Sequence, residues 1–116
     1  MRFTHELSES DIIDITLETD GKGKIVHFVI NYRARFEEAT PEWREVYRID
    51  TCHDFLHEQR FWQSPEPIPL KGKIENLKAV FDEAFSRLKE EYHRYKHLYR
   101  KRMKGMIKPR KIKRRK

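Results

Sequence analysis

The segment from Tyr47 to Trp62 brings together the side chains of this sequence that are best suited to acid–base chemistry. It sets ionisable groups beside large aromatic and aliphatic side chains, a mixture typical of a site at the rim of a core. The ionisable or nucleophilic residues are Arg48, Asp50, Cys52, His53, Asp54, His57, Glu58 and Arg60. This composition makes the segment the first place to look for a site.

Metal-independent cleavage of RNA is one reaction that these residues could perform. A neutral His53 or His57 would deprotonate a 2′-hydroxyl, and the other histidine, protonated, would serve the leaving group. Arg48 and Arg60 would stabilise the charged phosphorane. The candidate catalytic residues are therefore His53, His57, Arg48 and Asp50, with no cofactor. A polar network on the surface would explain the same residues without catalysis.

A transition-metal site is a less favoured interpretation of the same histidines. His53 and His57 are four residues apart, and Asp50 and Cys52 add further ligand types. This spacing brings two histidines together on a helix, whereas the segment has the pattern of a turn followed by a strand. The sequence therefore predicts no metal ligand. A single cysteine also excludes an internal disulfide and a multi-cysteine zinc site.

The positive charge of the chain is concentrated at its C-terminal end. From Arg100 onward there are eleven Lys or Arg and no acid, which leaves 15 basic and 19 acidic residues in 1–99. The net charge is thus −4 for residues 1–99, against +7 for the whole chain. Such a segment could neutralise several phosphates at once, and each neutralised phosphate would release counterions and so favour binding. A solubilising segment and a contact with an acidic membrane surface are the alternatives.

The residues before this basic end favour RNA over DNA as the partner. They interleave Tyr92, Tyr95 and Tyr99 with Arg and Lys, and aromatic or guanidinium planes stack on unpaired bases. Alternatively, tyrosines at helical spacing pack against a core or a partner helix. No RRM, KH or zinc-knuckle fingerprint is present. The candidate nucleic-acid-binding residues are Arg94, Tyr95, Tyr99, Arg100, Lys101, Arg102, Lys104, Lys108, Arg110, Lys111, Lys113, Arg114, Arg115 and Lys116.

Length and composition predict one cytoplasmic domain. A chain of 116 residues holds a single core. No apolar run approaches the roughly 18 residues that cross a bilayer, and the N-terminal residues MRFTHELSESD lack the apolar region of a signal peptide. Scarce Asn and Gln beside abundant Lys, Arg and Glu are typical of proteins from hot environments.

Alternating apolar and polar residues predict an antiparallel meander over residues 1–63. Asp20–Gly23 has the composition of a hairpin turn, and residues 51–54 are predicted to form a second, short turn. Alternation also predicts that Val46 points away from the face that carries Tyr47. The predicted strands are residues 2–7, 13–18, 24–36, 43–49 and 55–63, the last at the edge of the sheet.

The period changes to about 3.6 after a proline-rich connector over residues 64–70, which predicts an amphipathic helix over residues 73–103. Its first half should cover the sheet. At about 1.5 Å per residue the helix outreaches strands of roughly 20–30 Å, so its Tyr-rich half, residues 92–102, should project beyond the sheet. Gly105 is predicted to cap the helix, and residues 104–116 to form a disordered basic tail.

The order of these elements resembles the TumE-type toxin family and its small prokaryotic relatives. The resemblance covers residues 11–90, with Ile49 where that family usually has an aromatic residue. It implies a compact α+β domain in a toxin–antitoxin context. The matching positions are Arg48, Asp50, His53, His57 and Tyr32.

Together these patterns predict an α+β domain, in which an antiparallel meander sheet of four to five strands packs against one long C-terminal helix. The single domain would span residues 1–103. The expected function is binding of ribosomal or other structured RNA, anchored by the basic tail. Two alternatives stay open: a toxin-type ribonuclease that uses the His/Arg cluster, and an interaction module whose long helix pairs with a protein partner or with a second copy of itself.

Overall fold

The computed structural model describes residues 1–37, 41–52, 55–64, 66–70 and 76–107. Within them, six strands form one antiparallel sheet in sequence order, and one long helix packs on one of its faces. The predicted α+β meander with a single C-terminal helix is therefore confirmed, with one more strand than expected. The elements are β1 (Arg2–Ser8), β2 (Asp11–Thr19), β3 (Ile25–Ala34), β4 (Arg44–Cys52), β5 (Phe55–Arg60), β6 (Ile68–Pro69) and α1 (Leu77–Ile107).

The side chains of each strand alternate between two surfaces, which we call the helix face and the open face. Ile30 and Ile49 are cross-strand partners on the helix face, under α1, whereas Asn31 and Arg48 are partners on the open face. The core lies between the helix face and α1. Its buried apolar residues are Ile13, Ile15, Phe28, Ile30, Tyr32, Ala34, Phe36, Val46, Tyr47, Ile49, Trp62, Phe81 and Leu88.

The predicted hairpin turn between β2 and β3 is confirmed. Asp20 Oδ1 accepts hydrogen bonds from the amides of Lys22 and Lys24, at 2.8 and 3.0 Å. Gly23 has a φ of 82°, a conformation that other residues rarely adopt. These bonds lower the pKa of Asp20 below its ordinary value, since they favour the carboxylate.

β4 differs from the prediction in two ways. It continues through Cys52, so Thr51 and Cys52 belong to a strand and not to a turn. Its register against β3 also shifts, because Tyr32 faces Tyr47 while Arg33 faces Glu45. The extra residue of this bulge, Val46, is completely buried, although strict alternation predicted the opposite face.

The proline-rich connector contributes the sixth strand, so β5 is not an edge strand. His57 and Glu58 of β5 pair with Pro69 and Ile68, and the Leu70 amide donates a 2.8 Å hydrogen bond to the carbonyl of Leu56. Because Leu70 directs its amide toward β5, the nitrogen of the preceding Pro69 faces outward. A proline is tolerated on an edge strand in that orientation.

The ends of α1 also differ from the prediction. Asn76 caps the helix, since its Oδ1 accepts a 3.1 Å hydrogen bond from the Ala79 amide; residue 73, the predicted start, lies outside the described residues. The helix continues through Gly105 to Ile107, so the prediction of a cap at Gly105 was wrong. No helix in the described part of the chain is apolar enough to cross a membrane.

The Tyr-rich half of α1 lies on the sheet, so the prediction that it projects beyond the sheet was wrong. The extended path from Phe28 in β3 to Phe36, two residues beyond its end, is about 26 Å, and the helical path from Phe81 to Tyr99 is about 27 Å. α1 therefore runs alongside β3 and the two residues after it, which match the helix in length from Phe81 to Tyr99. The ring pairs along this path are Phe81 with Phe28, Tyr92 with Tyr32 and Tyr99 with Phe36, at centroid distances of 5.5, 5.8 and 5.2 Å.

Candidate functional site

Three of the four predicted catalytic residues lie together on the open face, and we call Arg48, Asp50 and His57 the open-face cluster. Arg48 Nε donates a 2.8 Å hydrogen bond to Asp50 Oδ2, and Asp50 lies directly opposite His57 in the β4–β5 pair. His57 Nδ1 is buried without a hydrogen-bond partner among the described residues. The fourth candidate, His53, lies outside the described residues.

The open-face cluster contains a base but no free cation. An imidazole next to a carboxylate can accept a proton, whereas the charge of Arg48 is already offset by Asp50. The Arg48 side chain is 39% exposed, so it could exchange this carboxylate for a phosphate. No three His, Cys, Asp or Glu side chains within the described residues are grouped to hold a metal ion. The cluster could therefore support proton transfer, provided that a second acid or base joins it.

Arg60, which was expected to act beside Arg48, lies on the helix face. There its Nε donates a 2.9 Å hydrogen bond to Glu58 Oε1, and the Tyr47 hydroxyl donates one of 2.6 Å to Glu58 Oε2. Burial raises the pKa of Tyr47 well above its usual range, and the bond to Glu58 raises it further. Arg60 therefore stabilises a buried carboxylate and takes no part in the open-face cluster.

A second buried polar network surrounds Asp11, which the sequence did not single out. Its carboxylate accepts 2.6 Å hydrogen bonds from the hydroxyls of Ser8 and Tyr32, and Lys96 Nζ lies 3.1 Å from Oδ1. Burial would raise the pKa of Asp11, but these hydrogen bonds lower it below its ordinary value. The alternation of side chains along β2 could have identified it, because Asp11 is two residues before Ile13 and therefore lies on the same face of the strand. This network joins the sheet to α1.

Two predicted nucleic-acid-binding residues, Tyr95 and Tyr99, pack against aromatic residues in β4 and just after the ends of β3 and β5. Tyr95 stacks on Tyr47 and Trp62, with ring centroids 4.9 and 5.1 Å apart, and Tyr99 stacks on Phe36. Burial raises the pKa of Tyr95 above its ordinary value. One side of each ring is thus covered inside the protein, and any contact with a base would use the rest.

Apart from Lys96, which pairs with Asp11, the Arg and Lys residues of the second half of α1 form what we call the basic helix surface, which comprises Arg94, Arg100, Lys101, Arg102 and Lys104. The sequence has no acid after Glu91, so this surface is basic throughout. Positive side chains near the C-terminal end of a helix are favoured by the helix dipole. The predicted residues from Lys108 onward lie outside the described residues.

The members of the basic helix surface differ in how firmly they are held. Arg94 pairs with Glu91 at 2.8 Å, and Arg102 Nη1 donates a 3.1 Å hydrogen bond to the Trp62 carbonyl. The guanidinium of Arg100 lies 5.4 Å from the centre of the Phe36 ring. By contrast, Lys101 and Lys104 are exposed, and neither forms an ion pair with any described residue.

Comparison with known proteins identifies a family but no activity. No curated protein and no solved structure matches the chain. The resemblance to TumE-type toxins thus stays a prediction. One family model, described as "Domain of unknown function (DUF7718)", matches residues 1–105, which include the whole sheet and nearly all of α1. The chain therefore belongs to the DUF7718 family.

Proposed function

We propose that this protein binds structured RNA, through the basic helix surface and the basic residues that follow it in the sequence. The observation that carries the proposal is the absence of any acid after Glu91, together with the exposed and unpaired state of Lys101 and Lys104 in the described part of the chain. Unpaired lysines are free to contact phosphates, and each contact would release counterions from the nucleic acid.

The choice of RNA depends on arginine more than on tyrosine. The rings of Tyr95 and Tyr99, which first favoured RNA, each have one side covered by other aromatic rings of the protein. The exposed Arg94 still offers a guanidinium plane, and such planes stack on the unpaired bases of RNA loops. Duplex DNA offers phosphates without such bases, and it therefore belongs in the same experiment.

The test is binding of a labelled structured RNA and of duplex DNA across a salt series. The wild type is compared with the double variant Lys101→Gln/Lys104→Gln. The control is Lys22→Gln/Lys24→Gln in the β2–β3 turn, which lies beside the start of α1 and so at the other end of the helix. It makes the same change of net charge.

We expect the wild type to bind RNA with a steep salt dependence. The helix variant should lower the slope by about 2 and weaken the binding roughly tenfold or more, while the control keeps both close to wild type. Equal losses in both variants would mean that net charge alone is at work. The absence of salt-dependent binding by the full chain would refute the proposal, and tighter binding to duplex DNA would assign the surface to DNA.

A truncated chain that tests the basic end should be cut after the helix and not within it. A chain that ends at Tyr99 would lose the last turns of α1 and the hydrogen bond from Arg102 to the Trp62 carbonyl. A chain that ends at Ile107 keeps every described residue. We expect it to retain the fold and the contribution of Lys101 and Lys104, while losing the contribution of residues 108–116.

A metal-independent ribonuclease is the second candidate function, and the pairing of Asp50 with His57 on the open face favours it. His57 would take the proton of a 2′-hydroxyl, whose oxygen would attack the phosphorus. Arg48 would stabilise the charged phosphorane, and protonated His53 would protonate the departing 5′-oxygen.

The test of this second candidate is a cleavage assay of His57→Ala, with His97→Ala on α1 as the control. The ribonuclease proposal is supported if His57→Ala loses cleavage but keeps its RNA affinity, while His97→Ala cleaves as wild type does. It is excluded if the wild type leaves the RNA intact.

The third candidate function is an interaction module that binds a protein partner along α1, and the exposed side of α1 argues against it. The first half of the helix carries the ion pairs Lys78–Asp82 and Arg87–Glu83, and the second half is basic. A protein partner along the helix would therefore meet charged side chains and no apolar stripe.

A further inference from the structure

The two edges of the sheet differ in their capacity to accept another strand. β6 has two residues, one of which is Pro69, and Pro67 precedes it. Prolines and short length blunt an edge against further pairing. At the opposite edge, β1 has seven residues and contains neither proline nor lysine. β1 is therefore the edge of the described sheet that is open to another strand.

The backbone groups of β1 that point away from the sheet belong to its even-numbered residues. Met1 and Leu17 exchange both of their backbone hydrogen bonds, each of 2.8 Å. In an antiparallel pair, such hydrogen-bonded residues alternate with residues whose amide and carbonyl point to the other side. Arg2, Thr4 and Glu6 therefore direct their backbone donors and acceptors outward.

The side chains of these three residues make β1 complementary to itself. Arg2 and Glu6 are exposed and lie on the open face, on either side of Thr4. Neither forms an ion pair with any described residue. Within one strand they are about 13 Å apart, too far to pair. In an antiparallel pair of two β1 strands centred on Thr4, Arg2 of each copy would stand opposite Glu6 of the other. Opposite charges at such positions stabilise a sheet.

The other side of β1 carries apolar surface that α1 leaves uncovered. Met1 is 78% exposed and Phe3 is 40% exposed. α1 lies mainly over β3 and β4, and it reaches β1 through the contact of Phe85 with His5, whose rings are 5.3 Å apart. In the register centred on Thr4, Phe3 of one copy would stand beside His5 of the other. Pairing would therefore shield part of this apolar surface.

We propose that two copies of this chain form a symmetric dimer by antiparallel pairing of their β1 strands, in the register centred on Thr4. The two-fold axis would be perpendicular to the sheet, as closed symmetric pairing requires. The two sheets would become continuous, and both helices would lie on the same side. This proposal is independent of RNA binding, because it involves neither the basic helix surface nor the open-face cluster.

The test is the dimer dissociation constant of the full chain, measured by sedimentation equilibrium without nucleic acid. Arg2→Glu would set its new carboxylate opposite Glu6, and Glu6→Arg would set its new guanidinium opposite Arg2. Each variant should raise the dissociation constant about tenfold or more, because two symmetric pairs change from attraction to repulsion. Lys22→Glu and Glu66→Arg make the same changes of net charge away from this edge, the first in the β2–β3 turn and the second just before β6 at the opposite edge, and they should leave the constant unchanged.

Mixing the two single variants is the decisive step. A heterodimer of Arg2→Glu with Glu6→Arg has opposite charges at both positions, so the mixture should associate about as tightly as the wild type, and so should the double variant. This recovery would also show that both single variants are folded. A wild type that is monomeric at every concentration overturns the proposal. A dimer unaffected by either variant also overturns it, since its interface would lie elsewhere.

Discussion

Lys96 on α1 places its Nζ 3.1 Å from Oδ1 of Asp11 on β2, where the two side chains are only 15% and 7% exposed. The two residues are 85 positions apart in the sequence. A buried carboxylate needs compensation for its lost hydration, and Lys96 supplies part of it from the Tyr-rich half of the helix. The pair therefore fixes where this half lies on the sheet.

Replacing Lys96 by Met should destabilise the fold by about 2–4 kcal/mol, because Asp11 would stay buried with only its two hydroxyl partners. The measurement is urea unfolding of the variant against wild type. Lys101→Met on the exposed side of the same helix is the control, and its free energy of unfolding should stay within about 0.5 kcal/mol of wild type. Equal stability of the two variants would contradict a stabilising role for the pair.

The contribution of Asp11 should depend on pH in the acid range. Its pKa in the folded protein is lower than the ordinary value of 3.8, so the folded state favours the carboxylate. The resulting stability is fully present above the pKa of the unfolded chain, and it is lost as the pH falls through the folded pKa. We expect the difference in unfolding free energy between wild type and Asp11→Asn to be constant near pH 6 and to shrink below about pH 4. A difference that grows with acidification would contradict this assignment.

Tyr47→Phe should cost about 1–3 kcal/mol, since Glu58 would lose a buried hydrogen bond and keep only Arg60. Tyr99→Phe is the matched control, because Tyr99 stacks on Phe36 through its ring, and phenylalanine keeps that ring.

The contribution of Tyr47 should also depend on pH. Burial raises the pKa of Tyr47, so folding favours the neutral phenol. That stability is present below the ordinary tyrosine pKa of 10.0 and is lost at higher pH. Chemical unfolding measured between neutral and alkaline pH should therefore show a steeper loss for wild type than for Tyr47→Phe.

Gly105→Ala should stabilise the protein by about 0.5–1 kcal/mol, because alanine has the higher helix propensity. The space around Gly105 is open to an added Cβ, and among the described glycines only Gly23 has a positive φ. Thermal unfolding is the measurement. Gly23→Ala is the contrasting variant and should destabilise, since it would strain the β2–β3 turn. A loss of stability in Gly105→Ala would restore the capping role first expected from the sequence.

Much of the fold follows from short-range patterns. Alternation in β2 and β3, the Asp20–Gly23 turn and the helical period after the prolines were each readable because they depend on residues close together in the chain. The same parity places Arg48 and Asp50 on one face of β4. It could not show that His57 stands opposite Asp50, since strand register depends on the whole sheet.

The remaining features depend on packing between distant parts of the chain. A bulge buries Val46 against the predicted alternation. The ten-residue strand β3 and the residues after it, through Phe36, offer enough length for the Tyr-rich half of α1 to pack along them, and Lys96 then meets Asp11. Strand and helix periods, the turn and the basic C-terminal end are thus properties of the sequence alone, because local sterics and charge determine them. The partners of Asp11, Glu58 and Tyr95 are properties of the folded chain, because burial assigns a partner only when the elements meet.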